Sequence, residues 1–288
     1  MKKSYLYALG LAAALSLTAC TAKKPAETTA ETVAVAESSA TAVEISAPET
    51  PVQEGSGSAA VLAEAPETEE KEVKTPQELY ALSVRDAAFA DEDEIYPLIS
   101  LTADDSLTSW DEEGRVLLVT WHNYPGSYPE GETVTLSWGT VWTFTEGEIA
   151  SRYADDIAKA EDQELRLKQL IGFGPDSVHT TFTGFWVSPE DVVRPAYQTD
   201  PTDGSMTIAF PEEETVDETY KTWFDGNILS SYYYGAYPWT RLGYTYDWAD
   251  NGTDYGLTEF LVSQGAEVEV AFTETTEAFL TRLVGTGV

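Results

Sequence analysis

The amino-acid sequence predicts an α+β fold: a single domain over residues 76–288 with a mostly antiparallel sheet and about four to five helices. The first observation is composition, since all eight Trp, all ten Phe and fourteen of the sixteen Tyr lie in this range. The second is that helix and strand patterns interleave there without a regular βαβ rhythm or internal repeats. The third is that residues 21–75 contain no aromatic residue, which predicts a disordered segment before the domain.

Helix starts are marked by capping residues. Three Thr residues each precede a Glu by three positions, which is the capping-box spacing, and one Ser precedes a Pro at a first helical position. These caps are Thr75, Thr145, Thr215 and Ser188. The predicted helices cover 76–89, 146–171 with a break near Asp162, 189–193, 216–229 and 274–284. Gly172 and Gly285 stand where C-terminal caps belong.

Strand patterns occupy the sequence between these helices. The predicted strands cover 116–121, 133–137, 141–144, 182–187, 255–262 and 267–272. The first is a nearly continuous apolar run, and the last alternates polar and apolar residues. Residues 133–137 and 141–144 are expected to pair as a hairpin around Trp138-Gly139.

Charge and cysteine content exclude several classes of function. The chain has 288 residues, with 50 Asp or Glu against 16 Lys or Arg, and a formal net charge of −34. This balance excludes a nucleic-acid partner, because binding to a phosphate backbone requires Lys and Arg. It also excludes a polybasic attachment to anionic lipid. With one Cys and two His, neither an internal disulfide nor a zinc site is predicted.

Residues 1–20 have the zones of a secretory signal. Lys2 and Lys3 form a positive start, and Tyr5–Leu17 is an apolar stretch of 13 residues. This stretch is too short to span a bilayer core, which needs about 20 helical residues, but it suits the apolar region of a signal peptide. The following Leu17-Thr18-Ala19-Cys20 resembles the lipobox of bacterial lipoproteins.

The resemblance implies a covalent lipid anchor. In that family the signal is cut before the Cys and the thiol carries diacylglycerol, so residues 1–19 are expected to be the signal peptide and Cys20 the lipidated N-terminus. The protein is then expected on a cell membrane, in the cell envelope, facing the extracytoplasmic side. Residues 20–75 are expected to form a disordered acidic linker, because Ala, Thr and Glu fill 31 of positions 21–75.

The segment 232–248 holds eight aromatic residues in seventeen positions. Consecutive aromatic side chains point to different sides of a backbone, so part of this segment is expected outside the core. Aromatic faces beside carboxylates suit sugars and peptides. The predicted ligand-binding residues are Tyr234, Tyr237, Trp239, Arg241, Tyr244, Tyr246 and Trp248. The alternative is that these rings pack on the sheet and that Arg241 pairs with a buried carboxylate or stacks on a ring.

Two further groups are candidates for chemistry. Asp247, Asp250, Asn251 and Asp254 surround a Gly turn and could hold calcium, although Ala249 stands where an EF-hand has a ligand. The alternative is an Asx-Gly turn without metal, and no other cofactor is predicted. His122 ends the strongest strand and could act as a general base, with a packed histidine as the alternative.

The leading hypothesis is a surface-tethered lipoprotein whose domain binds a glycan or peptide without catalysis. The alternatives are an envelope hydrolase that uses carboxylates, with His122 as its base, and an envelope scaffold with protein partners only. The motifs at 119–125 and 238–248 resemble bacterial lipoproteins of no assigned activity, so the resemblance implies no reaction. A shallow aromatic groove favours binding, whereas His122 clustered with carboxylates favours the hydrolase.

Overall fold

The structure is a computed structural model that describes residues 73–211, 216–234 and 236–285. Cys20, the predicted signal peptide and residues 20–72 of the predicted linker lie outside the described residues. The described part is a mixed α+β fold whose paired strands run antiparallel, which confirms the predicted fold class. Within that part, no helix is both long enough and apolar enough to cross a membrane.

The described residues form nine strands in three small sheets. They are β1 (Val116–His122), β2 (Thr133–Thr135), β3 (Val141–Thr143), β4 (Thr181–Val187), β5 (Val192–Val193), β6 (Tyr244–Tyr246), β7 (Tyr255–Thr258), β8 (Phe260–Val262) and β9 (Glu267–Thr275). The main sheet has the order β1-β4-β9-β2, the second β3-β8-β5, and β6 pairs with β7. Leu118 and Val119 of β1 pack into two different core clusters, so both faces of this strand are buried. Its nearly continuous apolar sequence follows from that burial.

The predicted hairpin around Trp138-Gly139 is wrong. β2 pairs with β9 and β3 pairs with β8, so the chain leaves one sheet at this turn and enters another. Leu136, just before the turn, is buried in the same core cluster as Leu118, and Gly139 has a φ of 152°. Leu136 shares this core cluster with Val268 and Val270 of β9, so the packing of this segment, like the pairing of β2, is with a strand distant in sequence.

Five α-helices lie in the part of the chain that the structure describes. They are α1 (Pro76–Asp86), α2 (Glu146–Lys159), α3 (Gln163–Ile171), α4 (Glu218–Leu229) and α5 (Thr276–Gly285). The Thr75 capping box is confirmed: the Glu78 N–H donates to the Thr75 hydroxyl at 3.3 Å, and the Thr75 N–H donates to the Glu78 carboxylate at 2.8 Å. The break at Asp162 is also confirmed, because its carboxylate accepts from the Leu165 N–H at 2.9 Å. Gly172 ends α3 in the left-handed region, as predicted.

Several predicted boundaries differ. Thr145 caps α2, but the buried Glu148 carboxylate accepts from the Thr258 N–H instead of closing a capping box. α4 begins after Asp217, whose carboxylate accepts from two helix N–H groups, and Thr215 lies outside the described residues. The predicted helix at 189–193 is a single 3₁₀ turn followed by β5. β9 continues to Thr275, so the last helix begins at 276 rather than 274.

Candidate functional site

Most of the aromatic segment 232–248 builds the core. Trp239, Tyr244 and Trp248 are each at most 2 % exposed, so a ligand cannot contact their rings in this structure. The Trp239 indole N–H donates to the Pro195 carbonyl at 3.2 Å, and that of Trp248 donates to the Phe173 carbonyl at 2.9 Å. These three positions correct the predicted ligand contacts, because burying large rings stabilises the fold more than leaving them in water.

Arg241 and Tyr237 also have structural partners. The buried Arg241 guanidinium donates to the Ala87 carbonyl at 3.0 Å and stands 5.5 Å from the centre of the Tyr232 ring. It therefore stacks on a ring, one of the two predicted alternatives, and holds the C-terminal end of α1. The half-buried Tyr237 donates its hydroxyl to the Ile171 carbonyl at 2.9 Å. The side chain of Tyr234 lies outside the described residues.

A concave region of about 540 Å³ lies beside the C-terminal end of α1. It is called here the α1–β6 pocket, and its lining residues are Leu82, Arg85, Asp86, Phe89, Asp91, Glu94 and Tyr246. Tyr246 belongs to the predicted ligand-binding set and is its one member with a described side chain that lines this pocket. The pocket is open to solvent and has aromatic side chains on its walls, features that favour a binding protein among the three hypotheses.

Tyrosine hydroxyls from the aromatic segment hold the pocket walls in place. The Tyr246 hydroxyl donates to the Asp86 carboxylate at 2.6 Å, and the Tyr244 hydroxyl donates to the Glu94 carbonyl at 2.9 Å. The Tyr232 hydroxyl donates to the Ala87 carbonyl at 2.8 Å. Tyr232 and Tyr244 therefore position the segment after α1, whereas Tyr246 also lines the pocket.

The pocket combines exposed apolar side chains with charged groups. Phe89 is 73 % exposed and Leu82 is 43 % exposed, both high for apolar residues. The pKa of Glu94 is raised, first by burial and then by the carboxylates of Asp254 and Asp86, while a hydrogen bond from the Asp91 N–H opposes the shift. This arrangement offers a ring face and carboxylate acceptors to one ligand.

The sequence analysis missed every pocket residue except Tyr246. The sequence pattern that could have indicated these residues is an isolated Phe among acidic residues: Phe89 has Asp86 before it and the run Asp91–Glu94 after it. When a helix is followed by such a segment, the apolar residue in the segment has few apolar neighbours to cover it. That pattern is local, whereas the contribution of Tyr246 depends on tertiary packing.

His122 is a packed histidine with both ring nitrogens engaged. Nδ1 accepts from the Tyr124 N–H at 3.0 Å, so the proton is on Nε2, which donates to the Thr183 hydroxyl at 2.8 Å. Burial lowers the pKa of His122 to about 4, with a smaller effect from His179. Its hydrogen-bond partners in the described part of the chain include no carboxylate, so the arrangement that would favour the hydrolase is not found there.

The predicted calcium residues do not converge on one point. Asp247 is 1 % exposed, and its two carboxylate oxygens accept from Arg166 at 2.9 and 2.6 Å. The Asn251 amide also donates to Asp247, and Asp254 accepts from the Tyr96 hydroxyl at 3.0 Å, while Asp250 is exposed. Among residues 73–211, 216–234 and 236–285, no group of three or more His, Cys, Asp or Glu is placed to hold a metal ion.

The α1–β6 pocket, with Phe89 and Tyr246 on its walls, is therefore the candidate site. Comparisons of the whole chain with protein-family models, with curated proteins and with solved structures find no match.

Proposed function

We propose that this protein is a lipid-anchored binding protein of the cell envelope, whose domain captures an extracellular glycan or peptide in the α1–β6 pocket without catalysis. The observation that carries the proposal is the pocket itself, where the exposed Phe89 ring lies in one cavity with Tyr246 and three carboxylates. Its volume of about 540 Å³ is in the ordinary range for ligand pockets.

The exposure of Phe89 supports binding at this place. An aromatic ring that is 73 % exposed gains little from folding, because it remains in water in the native state. A ligand that covers the ring would remove this apolar area from water, and aromatic residues are the side chains that most often dominate binding energy. The hydrogen bond from Tyr246 to Asp86 fixes one wall, so less conformational freedom is lost when a ligand binds.

The proposed anchor places this pocket outside the cell. Lipid on Cys20 would attach the chain to the membrane on its extracytoplasmic side. Anionic lipid surfaces repel the strongly acidic domain. A covalent anchor would therefore keep the protein at the membrane, while charge repulsion keeps the domain away from the lipid headgroups.

Replacing Phe89 with Ala should abolish or strongly weaken ligand binding. The test is thermal melting of the protein with a panel of oligosaccharides, cell-wall fragments and short peptides. A ligand at about 100 times its Kd adds about 2.7 kcal/mol to stability, a shift of a few degrees for a domain of this size. Trp138→Ala is the matched control, because Trp138 is 98 % exposed and does not line the pocket. Equal ligand shifts in both variants would exclude the α1–β6 pocket as the site.

Replacing Cys20 with Ser should release the protein from the membrane. The expected result is loss of incorporated fatty acid, measured with an alkyne-labelled palmitate, and a move of the protein from the membrane pellet to the soluble fraction. The physical reason is that the acyl chains supply the attachment, since the charge of the chain opposes it. Thr21→Ser is the control, because it leaves the thiol in place. A Cys20→Ser protein that stays labelled and sedimented would contradict the anchor.

A further inference from the structure

We infer that the occupant of the α1–β6 pocket is a basic peptide segment, with a Lys or Arg side chain lying across Phe89 and its charged end among the carboxylates of Asp86, Asp91 and Glu94. The inference rests on the proposed function and narrows its ligand class. It identifies the ligand by chemistry: a positive charge at the end of an apolar stem, carried on a backbone.

The charges of the pocket favour a cation. Three carboxylates and one guanidinium line it, and Arg85 forms no ion pair within the described residues. Asp254 adds a fourth carboxylate close enough to raise the pKa of Glu94. Carboxylates that line one pocket repel one another, and a bound cation relieves the repulsion. A neutral sugar provides no such compensation.

The exposed apolar side chains of the pocket favour a cation that carries an apolar stem. Leu82 and Phe89 are both exposed, and Tyr246 lies half-buried beside them. Lys and Arg side chains lay their methylene stems along apolar surfaces while the charged end stays solvated, and either cation is attracted to an aromatic face. A small ammonium ion would use the carboxylates but leave Phe89 and Leu82 in water.

Arg85 favours a peptide over a free amine. Its guanidinium donates up to five hydrogen bonds and accepts none, so it suits a backbone carbonyl or a carboxylate. A peptide supplies such acceptors beside its basic side chain, whereas a polyamine supplies donors only. The pocket is also open to solvent, so a peptide backbone has access to it.

The test is a titration of the whole protein with three labelled peptides, followed by fluorescence anisotropy. The probes are acetyl-Gly-Lys-Leu-Lys-Gly-amide, a counterpart with norleucine at both Lys positions, and one with Glu at both. Salt is kept at about 0.15 M, so that charges more than about 8 Å away are screened and the general acidity of the chain contributes little. Chitotetraose is titrated in parallel as a neutral glycan.

The expected result is binding of the Lys peptide, at least about tenfold tighter than either counterpart. Asp91→Asn combined with Glu94→Gln should weaken it about tenfold, whereas Glu112→Gln with Glu190→Gln removes two exposed carboxylates outside the pocket and should change it less than about twofold. Phe89→Leu keeps the apolar area but removes the ring face, so a loss of about threefold is expected. Circular dichroism and melting of each variant verify folding.

The outcomes separate the inference from the proposed function. An equal loss of affinity for the Lys peptide in the two double variants would mean that the overall charge attracts the peptide, and it would overturn the inference. Binding of chitotetraose or the norleucine peptide as tightly as the Lys peptide, lost in Phe89→Ala, would also overturn it but would retain the pocket as a binding site. If none of the probes and no member of the melting panel binds in a way that depends on Phe89, both the inference and the proposed function are wrong.

Discussion

Replacing Glu259 with Gln is expected to raise the free energy of unfolding at pH 8 by about 4 kcal/mol. Glu259 lies between β7 and β8 and is 4 % exposed. Its Oε2 is buried without a hydrogen-bond partner among the described residues, and burial raises its pKa to about 8. Between about pH 4.5 and pH 8 the folded protein is therefore expected to hold a mostly neutral carboxyl where the unfolded chain ionises.

The sign of the pH dependence follows from these two states. Below about pH 4.5 both states carry the proton and Glu259 costs nothing extra. As the pH rises from 4.5 to 8, the unfolded chain gains from ionisation and the native state does not, so stability falls over this range. Gln has a similar shape and no charge at any pH, so it removes this loss.

The measurement is urea unfolding of the natural protein and of Glu259→Gln at about pH 5 and pH 8. The difference in free energy between the two proteins should grow by several kcal/mol from the lower to the higher pH. Glu190→Gln is the control, because it removes an exposed carboxylate and should leave the profile unchanged. Parallel pH profiles for the natural protein and Glu259→Gln would show that Glu259 is ionised or solvated in the native state.

The sequence could not show that Glu259 is buried between two strands. Residues 255–262 read as one strand, but the structure divides them at Glu259, whose N–H donates to the Gly243 carbonyl at 2.9 Å. β7 before it pairs with β6, and β8 after it pairs with β3 and β5. A period of two along the chain predicts a strand, but it does not predict that the strand changes partners in its middle.

Local signals were the reliable part of the sequence. Thr75, Asp162 and Gly172 mark the helix ends where the structure has them, because a cap acts within one turn of its own residue. The choice of strand partners was not local, and the hairpin around Trp138-Gly139 failed for that reason. Pairing is decided by which apolar faces must be covered, and that depends on the whole chain.

The candidate site shows the same division. The sequence identified a segment dense in aromatic residues, and that segment does support the pocket through the hydroxyl groups of Tyr232, Tyr244 and Tyr246. It could not show that the Tyr232 hydroxyl reaches the Ala87 carbonyl at the C-terminal end of α1, more than 140 positions away. Residue type predicts that a ring contacts something, and packing decides whether that partner is a ligand or the protein itself.

Replacing Asp247 with Asn is expected to lower the free energy of unfolding by about 3 kcal/mol. Arg166 and Asp247 form a bidentate ion pair in which both side chains are nearly inaccessible, with side-chain exposures of 8 % and 0 %. Asn keeps the shape of the side chain and loses its charge, so the Arg166 guanidinium stays buried with Asp156 as its remaining anionic partner. Breaking such a pair is costly because the half-exposed Asp156 compensates the buried guanidinium only in part.

Urea unfolding of single and double variants tests this account of the pair. Asp156→Asn is the control, because that carboxylate is 50 % exposed and its loss should cost no more than about 1 kcal/mol. Arg166→Met combined with Asp247→Leu should be more stable than Asp247→Asn, because the double variant leaves no buried charge unpaired. An effect of calcium on the melting temperature could contradict this account of the ion pair. If calcium raises the melting temperature of the natural protein but not that of Asp247→Asn, then Asp247 is a metal ligand and the ion pair with Arg166 is its metal-free substitute.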